Sequence, residues 1–182
     1  MREILMLTLL TAPLLGFGQL AKSLALMEAD KEANYNEYEQ LFYDATEYIF
    51  SNPTNFKSKE FSSACKIVDF WKNKDTGINV PIFGGFYNEL EQKSNLRYFY
   101  MIAITNYILS EKINKNRILK CVKIDGQKYS EQEDVKEVQL EGAKIFLAYV
   151  ANDENGLAIN KKAKTYLKAF KKGKLKDTFF EK

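Results

Sequence analysis

LRYFYMIAITNYILSEK, residues 96–112, is the stretch on which the fold turns. Phe99, Met101, Ile102, Ile104, Tyr107, Ile108 and Leu109 put apolar side chains on more than one face of a helical wheel. A helix that is apolar most of the way round has to be covered on several sides, so this one is expected at the centre of a helical domain. Lys93-Ser94-Asn95, just before it, has the polar character of a helix start.

The covering helices are expected on both sides in the chain. Downstream, Ser130 to Asn152 is the most strongly patterned segment. Val135, Val138, Gly142, Ile145, Phe146, Tyr149 and Val150 form its stripe, and Ser130-Glu131-Gln132-Glu133 has the spacing of a capping box. A turn cluster at 152–156 joins it to a last helix, about Asn160 to Lys172, with Ala163, Tyr166, Leu167 and Phe170 inward. A short connection makes the two antiparallel neighbours. Upstream, Tyr35 to Phe50 carries Leu41, Ala45, Tyr48 and Ile49 on one face, and Ser51-Asn52-Pro53 stops it. A further helix starts at Ser58 or Lys59, with Phe61, Ala64, Cys65, Val68 and Trp71 as its stripe. A short helix through Tyr87 and Leu90 follows the irregular stretch 78–86. Residues 118–124 fit either helix or strand.

The fold class expected is therefore all-α, with five to six helices in antiparallel pairs. An echo of Tyr48-Ile49-Phe50 in Tyr107-Ile108-Leu109 and Tyr149-Val150-Ala151 raises the expectation of a short helical-repeat-like array.

Residues 1–18 have the order of a secretory signal. Met1-Arg2-Glu3 is charged, Ile4 to Leu15 is apolar with few interruptions, and Gly16 and Gly18 occupy the −3 and −1 positions of a cut before Gln19. The expected organisation is a signal peptide over 1–18, a lead-in segment or frayed helix over 19–34, and a single helical domain over 35–182. The mature chain is then periplasmic or extracellular, and it contains no transmembrane span.

Composition excludes several chemistries. The chain has no histidine, which removes Ser-His and Cys-His catalysis and the commonest metal ligand. No metal site, cofactor motif, phosphate loop or nucleophile motif is recognisable. A net charge of +3 is too small to imply nucleic acid as a partner. The charge is uneven, however. Glu131 to Glu154 holds seven acidic residues and two lysines, a net of −5, whereas Lys161 to Lys182 holds nine lysines and two acidic residues, a net of +7. The acidic and basic helices are expected to answer each other, the other reading being a basic end that seeks an anionic surface.

Candidate site residues are few. Trp71, Phe83, Phe86 and Tyr87 surround the Gly84-Gly85 stretch and are candidate binding residues for a sugar ring or a peptide side chain. Cys65 and Cys121, the only cysteines, are a candidate disulfide in an oxidising compartment. The carboxylate pairs Glu89/Glu91 and Asp44/Glu47 are the candidates for acid–base glycan cleavage, and nothing distinguishes them from ordinary surface charges.

Ser51-Asn52-Pro53, Phe70-Trp71, Gly84-Gly85-Phe86-Tyr87, Ile118-Leu119-Lys120-Cys121, Tyr166 and Lys171-Lys172-Gly173 together resemble a group of short exported bacterial all-helical proteins of uncharacterised function. The resemblance implies export and a helical fold, and transfers no activity and no site residue. The function expected is that of a non-catalytic exported binding or interaction protein, its partner a protein, a peptide or an envelope glycan. The alternative is a carboxylate-dependent enzyme acting on envelope glycans.

Overall fold

The computed structural model describes residues 19–30, 35–74 and 76–180; the expected signal peptide, and residues 31–34 of the expected lead-in, lie outside them. Among the described residues there are eight α-helices and no strand. They are α1 (Gln19–Ala29), α2 (Tyr35–Ser51), α3 (Lys59–Lys72), α4 (Gly84–Glu89), α5 (Leu96–Lys115), α6 (Glu133–Val150), α7 (Lys164–Lys171) and α8 (Leu175–Phe180). The all-α class is as expected, but the count exceeds five to six for two reasons. Residues 19–29, expected as a lead-in segment or frayed helix, form α1, which buries Leu20, Leu24 and Met27 and contacts α3. Gly173, in the left-handed region at φ +69°, ends α7 and lets the chain turn into α8.

α5 is the central helix. It lies between α2 and α6 and buries Phe99, Tyr100, Ile102, Ala103, Ile104, Ile108 and Leu109. Its register on α6 is antiparallel: Phe99 stacks on Tyr149 at 5.7 Å, Ile104 meets Gly142, and Tyr107 bonds Glu137. Gly142 is required here. A Cβ on it would come within 2.6 Å of Ile104 Cγ1, 2.9 Å of Ile104 Cα and 3.0 Å of Ile104 N. The two backbones therefore approach too closely for any side chain at that point.

α2 also runs antiparallel to α5. The buried Asn106 amide donates to Thr46 Oγ1 at 3.0 Å and Glu47 Oε1 at 2.5 Å, and one helical turn or more away Lys112 pairs with Glu39. α3 covers α2 through Phe42, whose ring lies 5.9 Å from Trp71, and α1 covers α3 in turn. On the other side α7 and α8 close against α6.

Several local expectations need correction. The capping box at 130–133 does not form. Gln132 occupies the N-cap of α6, and its side chain instead bonds the preceding loop, donating to Val122 O at 2.8 Å and accepting from Ile124 N at 3.1 Å. Asn95 precedes α5 in a left-handed conformation without a side-chain cap. Residues 118–124 are neither helix nor strand; they form an irregular segment in which Cys121 takes φ +50°, with Leu119 and Cys121 buried. Tyr107 lies inside α5 rather than at its end, so the three echoes do not mark equivalent helix ends.

Candidate functional site

The four candidate aromatic residues do not form one cluster. Trp71 is 1% exposed in the α2–α3 core beside Phe42. It forms one wall of a cavity of about 530 Å³ together with Ile78, Val80, Ile82, Met101 and Val122. Its indole N–H is buried with no acceptor among the described residues. Phe86 sits some distance along the core, under α6 to α8, with ring centroids 4.9 Å from Tyr100, 4.8 Å from Tyr166, 6.0 Å from Phe146 and 5.5 Å from Phe179. Tyr87 is half-buried beneath the Arg97 guanidinium at 4.8 Å, and Arg97 also holds the end of α4 by donating to Leu90 O at 2.9 Å. Phe83 is half-buried against Tyr129 at 5.4 Å. Sequence proximity thus brings Phe83 and Phe86 together at one site and leaves Trp71 and Tyr87 elsewhere.

That site is a cleft of about 740 Å³ between the start of α4, the exposed side of α6 and the tip of α8. Its position depends on a buried polar chain. Tyr100 Oη donates to Gln139 O at 2.9 Å, and Gln139 Nε2 donates to Pro81 O and Phe83 O, both at 3.0 Å. A glutamine inside the core thereby ties the irregular 81–83 segment to α6, leaving Phe83, Gly84 and Gly85 along one wall. Gly84 takes φ +91°, a conformation that L side chains rarely adopt. Phe179 and the 40%-exposed Phe180 line the opposite wall with Lys176.

The α6 wall is acidic. Glu133, Glu137 and Glu141 recur at every fourth residue and so share one face, and Glu131 adjoins them. Glu133 pairs with Lys136 at 3.2 Å, Glu131 with Lys128 at 3.1 Å and Glu141 with Lys144 at 2.6 Å. These are exposed or half-exposed pairs, each worth about 0–1 kcal/mol, so an incoming cation can replace the lysine at little cost.

Glu137 is different. Arg117 clamps it through two bonds of 2.5 Å and reaches Glu111 at 3.0 Å, while Lys115 holds the other oxygen of Glu111 at 2.5 Å. The Arg117 hydrogen bonds hold the Glu137 carboxyl below the usual carboxylate range, and Lys115, followed by Arg117, does the same for the buried Glu111. Tyr107, donating to Glu137 at 2.5 Å, is driven up by burial and by that carboxylate. This network fixes the end of α5 to α6 and favours the ionised form of Glu137 on the cleft wall.

The remaining sequence candidates lie outside the cleft. Glu89 and Glu91 flank the end of α4. Asp44 bonds Gln40 and lines a smaller hollow beside α1, where burial raises its carboxyl, and Glu47 faces Asn106. Cys65 and Cys121 are both buried and unbridged. The reason is placement. Cys65 belongs to α3, where Tyr98 bonds its carbonyl, whereas Cys121 belongs to the irregular segment between α5 and α6, its N–H on Asp134 and its carbonyl on Tyr129. Burial pushes the Cys65 thiol up to about 11 and the Cys121 thiol up to about 12. Neither is a nucleophile at neutral pH.

The acidic α6 and the basic carboxy-terminal region do not form the expected ion pairs. Among the described residues, each paired glutamate of α6 is satisfied by a lysine of its own helix or by Arg117. α7 contacts α6 and turns buried Tyr166, with half-buried Leu167 and Phe170, into the hydrophobic core. Among the described residues no helix is long and apolar enough to cross a membrane, and no group of three or more Cys, Asp or Glu side chains is gathered as a metal site would need. Comparison with protein-family models, with curated proteins and with solved structures found no match for this chain.

Proposed function

We propose that this is a non-catalytic binding protein of the periplasm or cell exterior, and that the cleft between α4, α6 and α8 receives a short peptide segment bearing a basic residue beside an apolar one. The observation that carries the reading is the lining of the cleft: phenylalanines 83, 179 and 180 share it with a file of glutamates on α6. A volume of about 740 Å³ falls within the range of ligand sites, which are largely apolar with a few placed polar groups. Rings accept the apolar side chain, or stack under a guanidinium. The glutamates accept the cation, exchanging exposed lysines for it.

The test is a calorimetric titration of the chain with a short Arg/Leu peptide, its Glu/Leu counterpart and a neutral envelope oligosaccharide. The basic peptide is expected to bind, more weakly as salt rises, and to lose at least fivefold in affinity on Phe180→Ala. Binding of the oligosaccharide alone would replace the peptide with a glycan as ligand. Equal binding of the acidic and basic peptides would overturn the role given to the glutamates.

A further inference from the structure

We propose that removal of residues 1–18 completes an ion pair at the start of α1, in which the α-ammonium freed at Gln19 docks on the carboxylate of Glu60. The proposal rests on the export reading and adds to it a coupling between maturation and stability.

Three observations meet at this point. Leu20 N–H donates to Glu60 Oε1 at 2.6 Å, and Ala21 N–H donates to Oε2 at 3.4 Å. Inside a helix, the Leu20 N–H would be taken by the carbonyl four residues earlier. Here a side chain from α3 reaches it, at the first residues of α1 that the structure describes, directly after the expected cut. Glu60 is also 8% exposed, and among the described residues no lysine or arginine nitrogen lies within 4 Å of it. A buried carboxylate without a cation is costly, and the partial positive charge of a helix N-terminus compensates it only in part. Finally, Gln19 is exposed, and its nitrogen is the next along the chain from the one that Glu60 already holds.

Hydrolysis of the Gly18–Gln19 bond consumes one water, leaves a carboxyl on Gly18 and an amine on Gln19, and that amine is mostly protonated below its ordinary pKa of about 7.7–8.0. The cut thereby creates a full positive charge beside a carboxylate that lacks one.

The test compares two chains that begin at Gln19, one with a free α-amine and one N-acetylated, each also as Glu60→Gln. Mass spectrometry confirms that Gln19 has not cyclised. Acetylation is expected to lower Tm by about 2–5 °C in the wild type. In Glu60→Gln it is expected to leave Tm unchanged or to raise it, because a bare ammonium opposes the helix dipole. The same response in both backgrounds would overturn the ion pair. Should Glu60→Gln fail to fold, titration of the isotopically dimethylated α-amine in the wild type decides instead: a pKa displaced upward on folding is expected, and an unshifted or lowered one would overturn the pair. Amino-terminal sequencing of the protein from its host tests the other half. A start other than Gln19 would overturn the maturation step, whereas a start at Gln19 without coupling would leave export standing and remove only the ion pair.

Discussion

Gly142→Ala tests the closest contact in the fold. The added Cβ would lie 2.6 Å from Ile104 Cγ1, and that side chain can rotate away. It would also lie 2.9 Å from Ile104 Cα and 3.0 Å from Ile104 N, and those atoms cannot move without displacing α5. Ordinary contact begins near 3.4 Å, so the helices must separate by several tenths of an ångström along a tightly packed seam. Overpacking of this kind costs about 1–3 kcal/mol, and a backbone clash belongs at the upper end. Alanine recovers about 1 kcal/mol of helix propensity. The net loss is about 1–2 kcal/mol, or a fall in Tm of about 2–8 °C for a domain of this size. Urea unfolding followed by far-ultraviolet circular dichroism reads it directly. Ile104→Ala removes Cγ1 but leaves Cα and N, so it is not expected to rescue the variant. A Tm that stays level or rises, or full rescue by Ile104→Ala, would refute the backbone approach between α5 and α6.

Three other outcomes follow from the packing and the electrostatics. Phe86→Ala empties the space between Tyr100, Phe146, Tyr166 and Phe179 and is expected to cost about 3–5 kcal/mol by chemical denaturation, against less than about 0.5 kcal/mol for Lys171→Ala on the surface. A thiol-reactive dye at pH 8 is expected to label Cys65 and Cys121 slowly in the folded chain and rapidly in urea; rapid labelling of the folded chain would contradict their burial. Glu111 and Glu137 have folded carboxyls lowered by Lys115 and Arg117, so their stabilisation is present above the ordinary carboxylate pKa and is lost as pH falls through the lowered value. Arg117→Met is therefore expected to flatten the acid limb of a stability–pH curve, and an unchanged limb would place the acid sensitivity elsewhere.

The central helix was legible because its apolar residues leave no polar face. α1 carried a signal as well, since Leu20, Leu24 and Met27 follow a four-then-three spacing, but with Leu26 off that face and alanines and charges between, the stripe is thin. α8 was hidden by Gly173, which marks the end of α7 without indicating that another helix follows. Half of the cleft was visible in the sequence: Phe83, Phe86 and the glycines form a local cluster. Phe179 and Phe180 join it only through tertiary folding, across nearly a hundred residues, and no local pattern announces that. The grouping of Trp71 with Phe86 failed for the converse reason. Trp71 belongs to the α3 stripe and turns into the α2 side of the core, while the chain between 73 and 83 carries Phe86 under α6. The 130–133 segment has the right residue types for a capping box, yet the loop at 122–124 needs hydrogen-bond partners and Gln132 supplies them.

Binding at the cleft is the central claim, and amide chemical-shift mapping of the isotopically labelled chain during titration with the basic peptide tests it most directly. The account predicts shifts concentrated at Phe83 to Phe86, along the glutamate face of α6 and at Phe179 and Phe180, all suppressed by Phe180→Ala. Shifts centred instead on Trp71, Ile78 and Val122, around the second cavity, would contradict it and move the site there.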